Sequence, residues 1–376
     1  MTGEIASRFR ECFGKEPRIF RAPGRINIIG EHTDYSGGLV MPAAIDRYCV
    51  VAAAANGTRS LRVASNGFGE ADADLAALAR TGTWIDYVAG VASMLMKAGI
   101  PVPGADLMIE SNVPVGAGIS SSAALEVSAM HALLAVANRS ATGLQIARWA
   151  QAAENHFVGM PCGIMDQFAS ANGVAGAAFL FNCATFTLEE AVPLPDGASF
   201  LLIDSMVSHS HVDGEYRSRR VDCETAARVL GLPNLGALAE PDLDRSLVVL
   251  PERVAKRTRH VVTENARVRK AADAMRRGDL ATLGQLMNQS HASLRDDMEV
   301  SVPEVDSLAE IAQKTAGVFG ARLMGGGFGG SVIALAAAAE ADEALAAIRA
   351  ACERASGKSP NGFVCKTVAG AGEVLP

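Results

Sequence analysis

The chain opens on a charged, amphipathic stretch, MTGEIASRFRECFGKEP, which predicts a first helix. Its rhythm then changes, and residues 18–30 (RIFRAPGRINIIG) predict two short strands around a Pro23-Gly24 turn. On the second of these, Arg25, Asn27 and Ile29 share a face, so Arg25 and Asn27 point the same way. Residues 48–55 and 61–65 are apolar and partly β-branched and predict a pair of strands. Val88, Val91, Leu95 and Met96 then repeat at helical spacing behind residues 83–87. A strand over 107–111 is expected to lead into a buried helix ending near 138, followed by a helix over 143–158. Three strands are predicted between 177 and 204, then helices over 215–230, 251–277 and 279–295. A helix over 341–355 and a strand over 361–368 close the chain. This mixture predicts an α/β (α+β) protein, and 376 residues suggest two closely joined domains, 1–190 and 191–376.

Composition narrows the functional classes. Hydrophobic residues at 49% and charged ones at 20% fit a globular enzyme with an ample core. A formal net charge of −7 with no basic tail argues against a nucleic-acid binder, and the basic 251–277 helix reads as a solvated face. The longest uncharged run, 323–339, holds five glycines and is shorter than the roughly 20 apolar residues of a membrane helix, so no membrane association is expected. Seven cysteines without a C-x-x-C read as reduced thiols of a cytoplasmic protein.

The candidate chemistry gathers in a few stretches. In PVGAGISSSAALEVS, residues 114–128, Gly116 and Gly118 let the backbone curl with its N–H groups inward at a helix start, a concavity suited to a polyphosphate. Ser120, Ser121 and Ser122 add hydroxyls for phosphate oxygens or Mg²⁺, although a serine-rich N-cap before a core helix would look alike. Residues 31–38 (EHTDYSGG) pack two carboxylates, an imidazole and hydroxyls into one loop, as a polyhydroxylated ligand or plain solvation would require. Trp84 and Tyr87, three apart on a first helical turn, are either core aromatics or a stacking surface for a purine. Asp166 after a Gly/Pro-rich turn is either an N-cap or a carboxylate within reach of a hydroxyl. His209 and His211 lie close together but lack a third metal ligand.

Residues 114–124 resemble P-x-G-x-G-[IL]-[SG]-S-S-A, the nucleotide loop of the superfamily of galactokinases, homoserine kinases, mevalonate kinases and phosphomevalonate kinases. Within it, residues 21–38 (RAPGRINIIGEHTDYSGG) and the GMPCGIMDQ of 159–167 are similar to galactokinases. GARLMGGGFGGSVIAL, residues 320–335, matches the third superfamily motif. The resemblance implies an active site in a cleft between two domains and phosphorylation of α-D-galactose at its C1 hydroxyl by ATP with Mg²⁺. It implies that Asp166 and Arg25 are catalytic, that Glu31, His32, Asp34, Gly163, Asp166 and Tyr216 bind the sugar, and that Ser122 and Glu154 hold Mg²⁺. It assigns Trp84, Tyr87, Gly116, Gly118, Ser120, Ser121 and Ser122 to the nucleotide. The protein is expected to act as a monomer on these small molecules. Asp204, Met206 and Met324 depart from the family pattern, which keeps open a sugar-1-kinase for another sugar, such as N-acetylgalactosamine or arabinose. A non-catalytic sugar and ATP sensor is the remaining alternative, opposed by the intact serine loop and Asp166.

Overall fold

The computed structural model describes residues 2–207 and 212–375; His209 and His211 therefore lie outside the described residues. The first part of the chain runs α1 (Thr2–Phe13), β1 (Arg18–Asn27), β2 (Leu39–Val40), β3 (Pro42–Ala55), β4 (Ser60–Ser65), β5 (Gly69–Asp74), α2 (Ile85–Lys97), β6 (Ala105–Ser111), α3 (Ser121–Val136) and α4 (Gly143–Ala153). It continues with α5 (Met165–Asn172), β7 (Ala177–Asn182), β8 (Thr187–Pro193), β9 (Ala198–Asp204), α6 (Val212–Val229), α7 (Leu243–Leu247), α8 (Glu252–Arg276) and α9 (Leu280–Asp296). The last elements are α10 (Pro303–Gln313), β10 (Val318–Met324), β11 (Ser331–Ala337), α11 (Ala341–Ser356), β12 (Gly362–Cys365) and β13 (Gly372–Val374).

Three sheets result, with strand orders β13-β1-β3-β6-β4-β5, β10-β11-β9-β12 and β2-β7-β8. Two expectations are corrected here. Residues 18–27 form one strand, because the register of β1 on β3 shifts between Pro23 and Arg25 and so absorbs the Pro-Gly pair as an irregularity. Pro23 lies beyond the stretch where β13 pairs, residues 19–21, so its missing N–H interrupts no ladder on that side. The strands β3 and β4 do not pair with each other: β6 inserts between them, antiparallel to β3 and parallel to β4.

The predicted 143–158 helix also changes character. α4 ends at Ala153, and residues 154–158 form a single π turn, closed by Gly159 and Met160 N–H groups that both donate to the Glu154 carbonyl. A π turn inserts an extra residue into the helix and re-aims the side chains around it. The basic α8 is not simply a solvated face, because Arg257, His260 and Glu264 on it are buried. Among the described residues no helix is long and apolar enough to cross a membrane, and all seven cysteines are free thiols, five of them buried.

A close crossing fixes the place of β10. A Cβ on Gly284 of α9 would lie 2.2 Å from the Phe319 carbonyl, and one on Gly320 would lie 2.1 Å from the Gly284 carbonyl. Alanine normally stabilises a helix interior by about 1 kcal/mol over glycine. Here the overlap with backbone outweighs that preference, and Gly284→Ala is expected to destabilise the protein by about 2 kcal/mol. Urea unfolding checks it, and a stabilised variant would contradict the crossing.

Candidate active site

The strand β1, the loop after it, the π turn, the loop that leads into α5 and its first turn, α6 and the glycine loop after β10 converge on one cavity. Its lining includes Arg25, Glu31, His32, Asp34, Asp166 and Tyr216. At about 190 Å³ it is smaller than the pockets of drug-sized ligands and suits one small polar molecule.

Asp166, in the first turn of α5, stands at its centre. One carboxylate oxygen accepts from Arg25 Nε at 2.8 Å and the other from the Ser120 hydroxyl at 2.6 Å. Arg25 is almost fully buried and also donates to the Gly118 carbonyl at 2.5 Å, so the ion pair joins the strand to the glycine loop. Ser120 takes a left-handed φ of 63° and does not cap α3 with its side chain. Its hydroxyl serves Asp166 instead, a partner that sequence reading did not suggest. The first-turn N–H groups of α3 receive no bond from that side chain.

Residues of the 31–38 loop fall along the cavity wall. Glu31 is buried and its Oε2 accepts from Arg322 at 2.9 Å. His32 also has a left-handed backbone, φ 58°. Its Nε2 lies 3.2 Å from the Gly326 carbonyl, which can only accept, so that nitrogen carries the proton and Nδ1 accepts from the Tyr35 hydroxyl at 2.9 Å. Burial and the charge of His260 lower the His32 pKa to about 3, and the ring stays neutral. Both ring nitrogens already have protein partners, so His32 offers the cavity a ring wall, packed against Tyr35 and Tyr216 with centroids 5.8 and 5.4 Å away. A Cβ on Gly163 would lie 1.8 Å from Asp34 Oδ2, so a side chain at position 163 would displace the Asp34 carboxylate. Burial, then the charge of Asp166, raises the Asp34 pKa to about 7.

Beside the serines lies an acidic cluster. Glu154 Oε2 accepts from Gln167 Nε2 at 2.6 Å, and Ser122 lies beside the same carboxylate. Burial and the Asp166 charge raise the Glu154 pKa to about 7. Gln167 Nε2 also reaches Glu126 Oε2 at 3.2 Å, while Glu126 Oε1 is buried with no partner. Glu126, Gln167 and Arg322 were all missed from the sequence. For Glu126 a signal existed, since it is the sole Asp, Glu, Lys or Arg between 112 and 138.

Other predicted residues lie apart from the cavity. Trp84 immediately precedes α2 and packs beside Phe68, with centroids 6.3 Å apart, and neither Trp84 nor Tyr87 lines the cavity. Asp204 and Met206 do not line it either: Asp204 Oδ1 accepts from the Met206 N–H at 2.9 Å in a local turn. Met324 is buried, and its sulfur accepts the Asn27 N–H at 3.3 Å.

Three family models match the chain: the galactokinase galactose-binding signature over residues 7–55, the GHMP kinase N-terminal domain over 86–174 and the GHMP kinase C-terminal model over 271–354. A galactokinase of Chloroflexus aggregans is 43% identical, with 97% of this chain and 96% of that one covered. One of Roseiflexus sp. is 41% identical over 100% and 97%. The chain belongs to the galactokinase family. A crystal structure of Lactococcus lactis galactokinase complexed with galactose superposes with a TM-score of 0.95 at 34% identity, covering 99% of each chain. The family's two-domain GHMP kinase fold extends to Methanococcus jannaschii mevalonate kinase, at TM-score 0.68 and 17% identity, a likeness of fold alone. Like its family, the chain is a sugar kinase.

The raised acids make a pH prediction. Asp34 and Glu154 keep their protons up to about pH 7 in the folded chain, against roughly 4 in an unfolded one. Between those values the folded state binds more protons, so its stability falls as pH rises and this contribution is lost above about 7. The urea midpoint of the ligand-free protein is expected to drop between pH 5 and pH 8, and less so in Asp34→Asn. A parallel drop in both proteins would contradict the assignment of Asp34.

Proposed function

We propose that this protein transfers the γ-phosphoryl group of ATP to the C1 hydroxyl of α-D-galactose, giving ADP and α-D-galactose 1-phosphate. The observation that carries the reading is the Asp166 carboxylate, held by Arg25 and Ser120 between the sugar-sized cavity and the glycine loop. The C1 oxygen attacks the γ-phosphorus, the bond to the ADP oxygen breaks, and Asp166 accepts or orients the departing hydroxyl proton. Arg25 pairs with Asp166 and faces the charge that builds on the transferring group. Glu31, Asp34 and Tyr216 select the sugar, His32 walls it in, and Gly163 makes room for Asp34. Gly116 and Gly118, with left-handed φ of 80° and 71°, Ser120 and Ser121 shape the phosphate cradle at the start of α3, and Trp84 with Tyr87 stacks the adenine.

The Ser122–Glu154 pair suits Mg²⁺. A buried carboxylate with an elevated proton affinity, beside a second buried carboxyl with one oxygen unpartnered, suits a cation. A magnesium ion also needs few protein ligands when phosphates supply the rest. Bound there, Mg²⁺ would neutralise charge on the β- and γ-phosphates. Asp204 and Met206 lie outside the cavity lining and Met324 is spent on a buried N–H, so the departures from the family pattern leave the sugar contacts untouched. This favours galactose over another sugar.

Replacing Asp166 with Ala is expected to lower kcat by about a thousandfold or more while ATP binding, followed by titration calorimetry, stays within a few fold. Turnover near that of the parent would remove Asp166 from the mechanism.

A further inference from the structure

Arg322 sits on β10, about 290 residues from the sugar loop in sequence, and its side chain is completely buried. A buried guanidinium cannot shed its charge, so every donor needs a partner. Its Nε donates to the Ile28 carbonyl at 2.9 Å, and Nη1 donates to the Leu323 carbonyl at 2.6 Å and to Glu31 Oε2 at 2.9 Å. Nη2 donates to the Asn27 carbonyl. Two residues on, the Met324 sulfur accepts the Asn27 N–H, and two further on, the Gly326 carbonyl accepts from His32. Residues 322 and 324 alternate along β10 and so present one side to residues 27–31, and Gly326 in the loop that follows adds its carbonyl.

Glu31 is thereby fixed from both ends. Its carbonyl accepts from His260 Nε2 at 2.9 Å, and its Oε2 is held by Arg322. Its Oε1 has no hydrogen-bond partner among the described residues, and the side chain lines the cavity. We propose that Arg322 is a positioning residue for sugar recognition: it holds one oxygen of Glu31 so that the other is presented, at a fixed angle, to a hydroxyl of the sugar. The fork shape of the guanidinium is essential, because one group must reach two strand-end carbonyls and the carboxylate at once. A lysine supplies a single point charge and leaves Glu31 free to turn. This inference rests on the sugar-kinase reading of the same cavity.

The test is steady-state kinetics on purified Arg322→Lys, Arg322→Gln, Glu31→Gln and Arg322→Lys/Glu31→Gln, with thermal unfolding as the check of fold. Loss of a hydrogen bond to a charged group amounts to roughly a ten- to hundredfold change. KM for galactose is expected to rise by about that factor in Arg322→Lys and further in Arg322→Gln, with kcat within about threefold of the parent and KM for ATP unchanged. Because Arg322 acts through Glu31, the double variant is expected to be no worse than the poorer single one. A folded Arg322→Lys with unchanged galactose KM would overturn the proposal. So would a full sum of the two single effects, an equal rise in both KM values, or failure of both Arg322 variants to fold, which would make the residue a determinant of the fold alone. A parent enzyme inactive on every sugar would refute the kinase reading itself. Activity on galactose beside an unaltered Arg322→Lys would refute only the positioning role.

Discussion

Five carboxylates, Glu31, Asp34, Glu126, Glu154 and Asp166, crowd one buried region, and among the described residues the cations that pair with them directly are Arg25 and Arg322. The remaining three acids have no such partner. Burial penalises their charged forms and the neighbouring carboxylates add to the penalty, which is why Asp34 and Glu154 hold their protons to about pH 7 and Glu126 is raised well above the usual carboxylate range. A site of this kind is incomplete without ligands. In the proposed reaction a polyhydroxylated sugar would give donors to the acids at one end of it, and a cation at Glu154 would relieve the other. Asp166 lies where the two halves meet, and its pairing with Arg25 sets it apart from its neighbours.

The site reaches far along the sequence for support. The loop over 27–39 is held mainly by the C-terminal half of the chain. Glu264 Oε1 accepts the Gly30 N–H at 2.9 Å, Asn265 Oδ1 accepts the Leu39 N–H at 2.8 Å, and His260 reaches the Glu31 carbonyl. The close contact between the two glycine loops, with a Cβ on Gly325 only 3.1 Å from the Gly118 Cα, ties the same half to the phosphate cradle. The buried polar groups that hold the loop are tolerable because they hydrogen-bond one another. They make the 31–38 loop and the glycine-serine loop before α3 parts of one continuous body.

Much of this was legible beforehand, and the limits have physical causes. The glycine and serine run before α3 and the dense polar loop over 31–38 could be read because the chemistry and the geometry are local in sequence. The order of strands could not, since neighbours in sequence need not pair, and β6 inserts between β3 and β4 only through a long connection. The partner of Ser120 was hidden because a left-handed backbone at a non-glycine residue turns its hydroxyl from the helix end to Asp166. Arg322, His260 and Glu264 were hidden for a different reason. A charged residue in a helix or strand defaults to solvent, and its burial shows only when the far segment that satisfies it is in place. Met324, conspicuous as a departure from the family, proves to be a compensated one, its sulfur taking a buried N–H.

The account stands or falls on the acceptor. The direct test is to incubate the enzyme with Mg·ATP and, in parallel, galactose, N-acetylgalactosamine, glucose, arabinose and glucuronate, following ADP release and identifying the product by phosphorus–carbon coupling in NMR. Turnover strongest with galactose, with the phosphorus coupled to C1, is the predicted result. Stronger turnover with another sugar, phosphate on another carbon, or ATP binding without turnover of any sugar would contradict it.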